Sequence, residues 1–231
     1  MNRSTLKPVR SRRTVQDQIY VQMRESLVNG AFRAGEQFTI QSLAEKFMTS
    51  HMPVREALRR LAAENALRIA STGTAVVPAL DLDELTQICQ ARLILEPATV
   101  EIAFDHITPE MVKELESILA LHKQCGAAGD VMAMLAENRK FHFRIYRASG
   151  NEVLFSQIEN LWLRSGPYVR YLSDRMCDLL RTSYKEGFAR HHDDMLYAVK
   201  RGDKAVFRNA MYHDIKATHD LLFRFLSEEP E

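Results

Sequence analysis

Residues 38–61 read FTIQSLAEKFMTSHMPVREALRRL, and the reading of this stretch decides the fold of the first third of the chain. Thr39 offers a side-chain cap to a short helix that runs to Phe47, with Ile40, Leu43 and Phe47 on one face. Met48 to Ser50 is a turn. Ser50 is placed to cap a second helix, and Pro53 falls in its first turn, where a missing N–H does no harm. That helix is expected to reach about Asn65, with Val54, Leu58 and Leu61 at i, i+4 and i+7 facing inward. Met52, Glu56 and Arg59 then point outward, flanked by Arg55 and Arg60, and His51 stands at the helix start.

The flanks complete the plan. Val15 to Asn29 carries Val15, Ile19, Met23 and Leu27 at helical spacing, and Gly30 stops it. Leu67 to Ala70 and Ala75 to Val77 bracket Ser71-Thr-Gly-Thr74, a hairpin signal with Gly73 near its tip. Two helices, a short turn and a hairpin wing make a winged helix-turn-helix over residues 14–78, preceded by a loose basic arm over 1–13. Such a unit inserts its second helix N-terminus first into the major groove of double-stranded DNA. Arg55 is placed for a bidentate contact to guanine and Arg59 or Arg60 for phosphate. Gln41, Ser50, His51, Met52, Gly73 and Thr74 complete the candidate interface. A merely solvated helix face would also carry such arginines; the wing and the charge distribution favour DNA.

That distribution is uneven. The formal net charge is +1, yet residues 1–78 hold 12 Lys and Arg against 6 Asp and Glu, and residues 79–231 hold 19 against 24. A basic first segment on an acidic larger one points to one polyanion-binding end. Cys89, Cys125 and Cys177 have no CxxC spacing and read as reduced thiols. No apolar run has the length of a membrane span, and the N-terminus lacks the apolar core of a secretory signal, so a cytoplasmic protein is expected.

The helix-turn-helix resembles the GntR family of regulators, whose hallmark at the turn and recognition helix is Ser-Arg-Thr-Pro-Val-Arg-Glu-Ala-Leu. Ser50, Pro53, Val54, Arg55, Glu56, Ala57 and Leu58 match it. The chain departs at His51, where the family usually has a DNA-contacting arginine, at Met52 in place of threonine, and in a wing without arginine before Gly73.

From Asp81 onward the pattern is helical throughout, an all-α bundle over residues 79–231. Breaks are marked by Thr108-Pro109, Gly126 to Gly129, Ser149-Gly-Asn151, Gly166-Pro167 and Gly202-Asp203. Polar residues interrupt the apolar stripes: Arg92 among Leu85, Ile88, Leu95, Thr99 and Ile102; Asn138 and His142 between Met134 and Ile145; His192 beside Met195, Leu196 and Val199; Asp214 among Phe207, Met211, Thr218, Leu221 and Phe225. A carboxylate on an apolar face is costly unless paired or metal-bound. Four helices each aiming a polar group inward imply one shared site. An Arg92–Asp214 ion pair and hydrogen-bonded core histidines are the plainer alternatives.

This half resembles the FadR-type (FCD) effector domain of the same family, through Arg92 with Leu95-Glu-Pro-Ala98, and through Phe141-His142 with Ala148-Ser-Gly-Asn151. The resemblance implies a divalent metal (zinc, nickel or manganese) held by Asn138, His142, His192 and Asp214, with Asn and Asp standing where the family has Asp and His. It implies a small-molecule effector bound by Arg92 with the same four residues. Arg92 suits an organic acid, because its planar fork matches a carboxylate. It further implies a homodimer on a near-palindromic operator and favours repression. A protein-interaction adaptor with a degenerate winged helix and a metal-dependent hydrolase are the competing readings. The latter lacks HExxH, a nucleophile elbow or a phosphate loop.

Overall fold

The computed structural model describes residues 14–228, so the basic arm expected over 1–13 lies outside the described residues. Helix α1 (Val15–Val28) opens with a reciprocal cap: Thr14 Oγ1 accepts from the Asp17 amide at 3.2 Å, and the Asp17 carboxylate accepts from the Thr14 amide at 3.1 Å. It closes at Gly30, whose φ of +67° favours glycine. Helix α2 (Ile40–Lys46) is capped by Thr39, whose hydroxyl accepts from the Ser42 amide at 3.1 Å. Helix α3 (His51–Ala63) follows the turn at Met48 to Ser50. Ser50 occupies the cap position of α3, but its side chain makes no capping hydrogen bond, contrary to expectation. The helix stops two residues earlier than the apolar spacing suggests, because Asn65 takes a left-handed φ of +59°.

The wing is a hairpin of β2 (Arg68–Ile69) and β3 (Ala75–Val76), turned at Gly73 with φ +82°. It carries an extra strand that the sequence reading lacks. Strand β1 (Gln37–Phe38) pairs antiparallel with β3, Gln37 opposite Val76 and Phe38 opposite Ala75, so the sheet order is β1-β3-β2. Two residues are too few to show alternation, and the pairing is held from outside by Val77 N–H to Glu36 O at 2.9 Å and Gly35 N–H to Val77 O at 3.0 Å. Ile19, Met23, Leu27, Leu43, Val54, Leu58, Leu61, Leu67 and Ala75 fill the core of this module.

The rest of the chain, among the described residues, is helical: α4 (Leu82–Phe104), α5 (Pro109–Ala128), α6 (Val131–Ala148), α7 (Glu152–Arg164), α8 (Gly166–Leu179), α9 (Arg190–Arg201) and α10 (Lys204–Glu228). Gly126 does not break α5, which continues to Ala128 and ends at Gly129 with φ +74°. Gly126 instead makes room: a Cβ there would lie 2.6 Å from the Phe188 ring. Helices α4 and α10 run antiparallel, tied by Glu101–Arg208 at 3.2 Å and Asp105–Lys204 at 2.6 Å. They enclose a core with Phe141, Ile145, Tyr146, Trp162, Met195, Phe207 and Met211.

The α7–α8 corner seats directly on α1. Leu163 belongs to the apolar cluster of the N-terminal module. A Cβ at Gly166 would stand 2.2 Å from the Leu27 carbonyl oxygen, so only glycine permits this approach. Polar ties surround the contact: Asn160 donates to the Glu64 carbonyl at 3.2 Å, and Arg24 lies 3.8 Å from Glu159.

Candidate functional site

The outer face of the N-terminal module presents α3 beside the wing. Arg55 is exposed, has no ion-pair partner among the described residues, and lines an open cleft of about 390 Å³ with Thr39, Arg59, Gly73 and Thr74. His51 and Ser50 are exposed at the helix start. Met52 is 59% exposed and Met48, in the turn, 94%. Gln41 is exposed on α2 and bonded to Glu45 at 3.1 Å. Arg59 reaches Glu56 at 3.0 Å on the exposed surface. Arg60 faces the other way: its guanidinium lies 3.6 Å from the Tyr20 ring centre and within 3.6 Å of Glu64 and 3.8 Å of Asp17. It clasps α1 to α3.

Inside the helical bundle three helices aim ligand-type atoms at one point. His142 on α6, His192 on α9 and Asp214 on α10 place these atoms within 4.8 Å of one another. His142 Nε2 is 3.0 Å from His192 Nε2 and 3.3 Å from Asp214 Oδ2, and His192 Nε2 is 3.7 Å from Asp214 Oδ1. Donors about 2.0–2.2 Å from one metal ion stand roughly 3–3.5 Å apart, so the set fits a divalent cation. Both imidazoles are buried. Burial pushes His192 down to about 3, against the pull of Asp214, so the ring is neutral at pH 7. Burial alone would raise the Asp214 carboxyl; the neighbouring His192 and His142 rings outweigh it and hold the carboxyl below its usual range.

The orientation of His142 follows from its partners. Glu96, fully buried on α4, accepts from Arg92 Nε at 2.6 Å, Arg92 Nη2 at 3.2 Å, Trp162 Nε1 at 3.1 Å and the Tyr146 hydroxyl. With Tyr146's only proton on the carboxylate, its oxygen must accept from His142 Nδ1, 3.1 Å away. The His142 proton is therefore assigned to Nδ1, leaving the Nε2 lone pair aimed at His192 and Asp214. This is the outer support that a metal-ligating histidine needs.

Arg92 is thus not the partner of Asp214. Its fork is taken by Glu96, four residues on in the same helix, and its guanidinium lies 4.7 Å from the Trp162 ring centre. It also borders a cavity of about 50 Å³ between α4, α8 and α10, with Cys89, Tyr168 and His219. Asn138 stands one turn before His142 on α6, half-buried, and its side chain makes no hydrogen bond among the described residues. His213, the residue before Asp214, is exposed and bonded to the Asn209 carbonyl at 2.8 Å. Glu96, Tyr146 and Trp162 were not among the candidate residues; the signal was present in the Arg92–Glu96 spacing of i, i+4 within an apolar run.

Comparison with known proteins identifies the family. Residues 87–217 match the family described as FCD domain, and residues 15–77 the family described as bacterial regulatory proteins, gntR family. The chain is 30% identical over 207 residues to the HTH-type transcriptional regulator McbR of Escherichia coli, covering 90% of this chain and 92% of that protein. It is 28% identical over 203 residues to the gluconate operon transcriptional repressor of Bacillus subtilis, covering 86% and 81%. The solved structure of E. coli McbR/YncC superposes with a TM-score of 0.84 at 29% identity, over 92% of this chain and 99% of that one. These relatives are transcription regulators, not enzymes, so the hydrolase reading falls away. The chain is a transcription regulator that belongs to the gntR family of bacterial regulatory proteins and carries an FCD domain.

Proposed function

We propose that this protein is a cytoplasmic repressor that binds a near-palindromic operator as a homodimer and is controlled by a small organic acid bound at a divalent metal centre in its helical domain. The observation that carries the metal reading is the convergence of His142 Nε2, His192 Nε2 and an Asp214 oxygen from three helices. The donor set, two imidazoles and one carboxylate, suits zinc, nickel or manganese, with Asn138 as a further oxygen ligand from the turn before His142. Such a metal supplies open coordination positions that a carboxylate can take. Because Glu96 already fills the Arg92 fork, the effector's acid group meets these positions, with Arg92 adding positive potential behind them.

The repressor reading is supported by the relative that represses a gluconate operon. DNA docking rests on the unpaired Arg55 at the cleft between α3 and the wing, with Ser50, His51, Met52, Gln41, Arg59, Gly73 and Thr74 around it. Exposed apolar side chains on the packed pair α4 and α10, Ile94 at 71% and Tyr212 at 41%, support a second copy of the chain as partner. Selection from random double-stranded DNA at physiological salt tests the reading. A recovered near-palindrome whose binding is weakened by sugar acids or other carboxylates only when the metal is present supports it. Enrichment of no sequence would return the protein to the adaptor reading.

A further inference from the structure

His122, on α5, belongs to a helix that contributes no ligand to the cluster, yet its ring lies edge-on to His192 with centroids 5.3 Å apart. It is 96% buried, and Phe188 lies 5.0 Å away on another side, in the space left by Gly126. His122 Nδ1 is 2.9 Å from the Met134 carbonyl oxygen. A carbonyl only accepts, so Nδ1 carries the proton and Nε2 is a bare lone pair. That Nε2 is buried with no hydrogen-bond partner among the described residues. So is His192 Nδ1. Two orphaned nitrogens on adjacent buried rings are an expensive arrangement unless one of them donates to the other.

Whether they do depends on where His192 keeps its proton. His142 presents an Nε2 lone pair, fixed by Tyr146. With no cation between the rings, His192 carries its proton on Nε2 and gives it to His142 across 3.0 Å. His192 Nδ1 is then also a lone pair, on the ring next to the bare Nε2 of His122. With a metal ion bound, His192 Nε2 must be bare, so its proton sits on Nδ1. A buried N–H donor then stands beside a buried acceptor.

We propose that His122 is a positioning residue of the metal centre: it accepts the His192 Nδ1–H, directly or through one water, and so favours the tautomer in which His192 binds metal. The inference rests on the metal reading above. It makes α5 part of the sensor, although α5 holds no ligand. It also gives the centre two differently built supports: His142 is oriented by Tyr146 and the buried Glu96, and His192 by a neutral ring.

The test uses the full-length protein and zinc, titrated against a chromophoric chelator. His122→Phe keeps the ring volume and removes the acceptor; His122→Gln restores an oxygen that can accept. Zinc affinity is expected to fall on the order of tenfold or more in His122→Phe, as for other outer supports of metal ligands, and to recover in part in His122→Gln. The thermal midpoint in excess chelator is read alongside, since His122→Phe also loses the buried Nδ1–H bond to the Met134 carbonyl and is expected to lower the metal-free midpoint. Imidazole nitrogen NMR on the zinc-loaded wild type should show His192 protonated at Nδ1 and His122 bare at Nε2, a reading that needs no variant to fold. Equal zinc affinity in wild type and His122→Phe, or a protonated His122 Nε2 in the loaded protein, would overturn the inference and leave the metal site standing. No zinc, nickel or manganese binding by the wild type would remove the metal reading and this inference with it.

Discussion

Trp162 and Leu163, consecutive in α7, are buried in different cores. Trp162 gives its Nε1–H to Glu96 in the helical bundle at 3.1 Å and lies 5.5 Å from the His142 ring, whereas Leu163 packs with Ile19, Met23 and Leu27 of the DNA-binding module. One helical residue thus touches the buried histidine cluster, and the next one bears on α1. Truncating Leu163→Ala is expected to cost about 2–4 kcal/mol in chemical denaturation. It should also weaken the effect of metal or effector on operator binding more than operator binding itself. Full retention of that response with the lowered stability would show that α7 does not carry the signal.

Tyr146→Phe removes the hydroxyl between Glu96 and His142. Glu96 loses a donor and the His142 Nδ1–H loses its acceptor. Both are buried, so a loss of roughly 1–3 kcal/mol is expected without metal. Zinc binding should weaken as well, since His142 is no longer held in the ligating tautomer. A chelator competition and a denaturant titration on the same variant separate the two effects.

Arg55 and Arg60 lie five residues apart on α3, but the structure gives them different work. Arg55→Ala should cost about 1–3 kcal/mol in operator affinity and relax preference at one base pair, leaving folding unchanged. Arg60→Ala should lower the thermal midpoint by loosening the clasp on Tyr20, Glu64 and Asp17, with a smaller loss of DNA binding. Parallel binding isotherms at several salt concentrations check the contrast.

Tyr168 hydrogen-bonds the Asp81 carbonyl at 2.9 Å, where the chain enters α4, and burial pushes its hydroxyl up to about 12. In the unfolded chain it titrates near 10. Between these values the unfolded state releases a proton that the folded state keeps. The stabilisation is therefore whole below pH 10 and lost as pH rises toward 12, on the order of 2 kcal/mol. Tyr168→Phe should flatten this alkaline slope in denaturation curves taken from pH 9 to 11.5.

The legible parts of the molecule are those written locally. Thr39, the turn at Met48 to Ser50, Pro53 and the Val54–Leu58–Leu61 spacing sit within one short stretch, so α2 and α3 follow from it almost residue by residue. His142, His192 and Asp214 were visible as polar interruptions of apolar stripes, each on its own helix. Glu96 was not, because its partners Tyr146 and Trp162 lie on two other helices, and Arg92, its neighbour in the same turn, was assigned to an outside ligand or to Asp214. His122 carried no signal at all: its importance lies in a nitrogen without a partner, a property that exists only after α5, α6 and α9 have been packed together. Strand β1 was lost for a related reason, being two residues whose pairing is decided by β3, far along the chain.

At Gly166 a missing methyl group lets two backbones touch, the corner of α7–α8 against the end of α1 at Leu27. At this point of closest approach there is no side chain to repack, so the contact is expected to be stiff, more weld than hinge. The DNA-binding module and the corner beneath it are therefore expected to move as one piece. Whatever changes are made in α3 or in the histidine cluster, this position is closed to every residue that carries a Cβ.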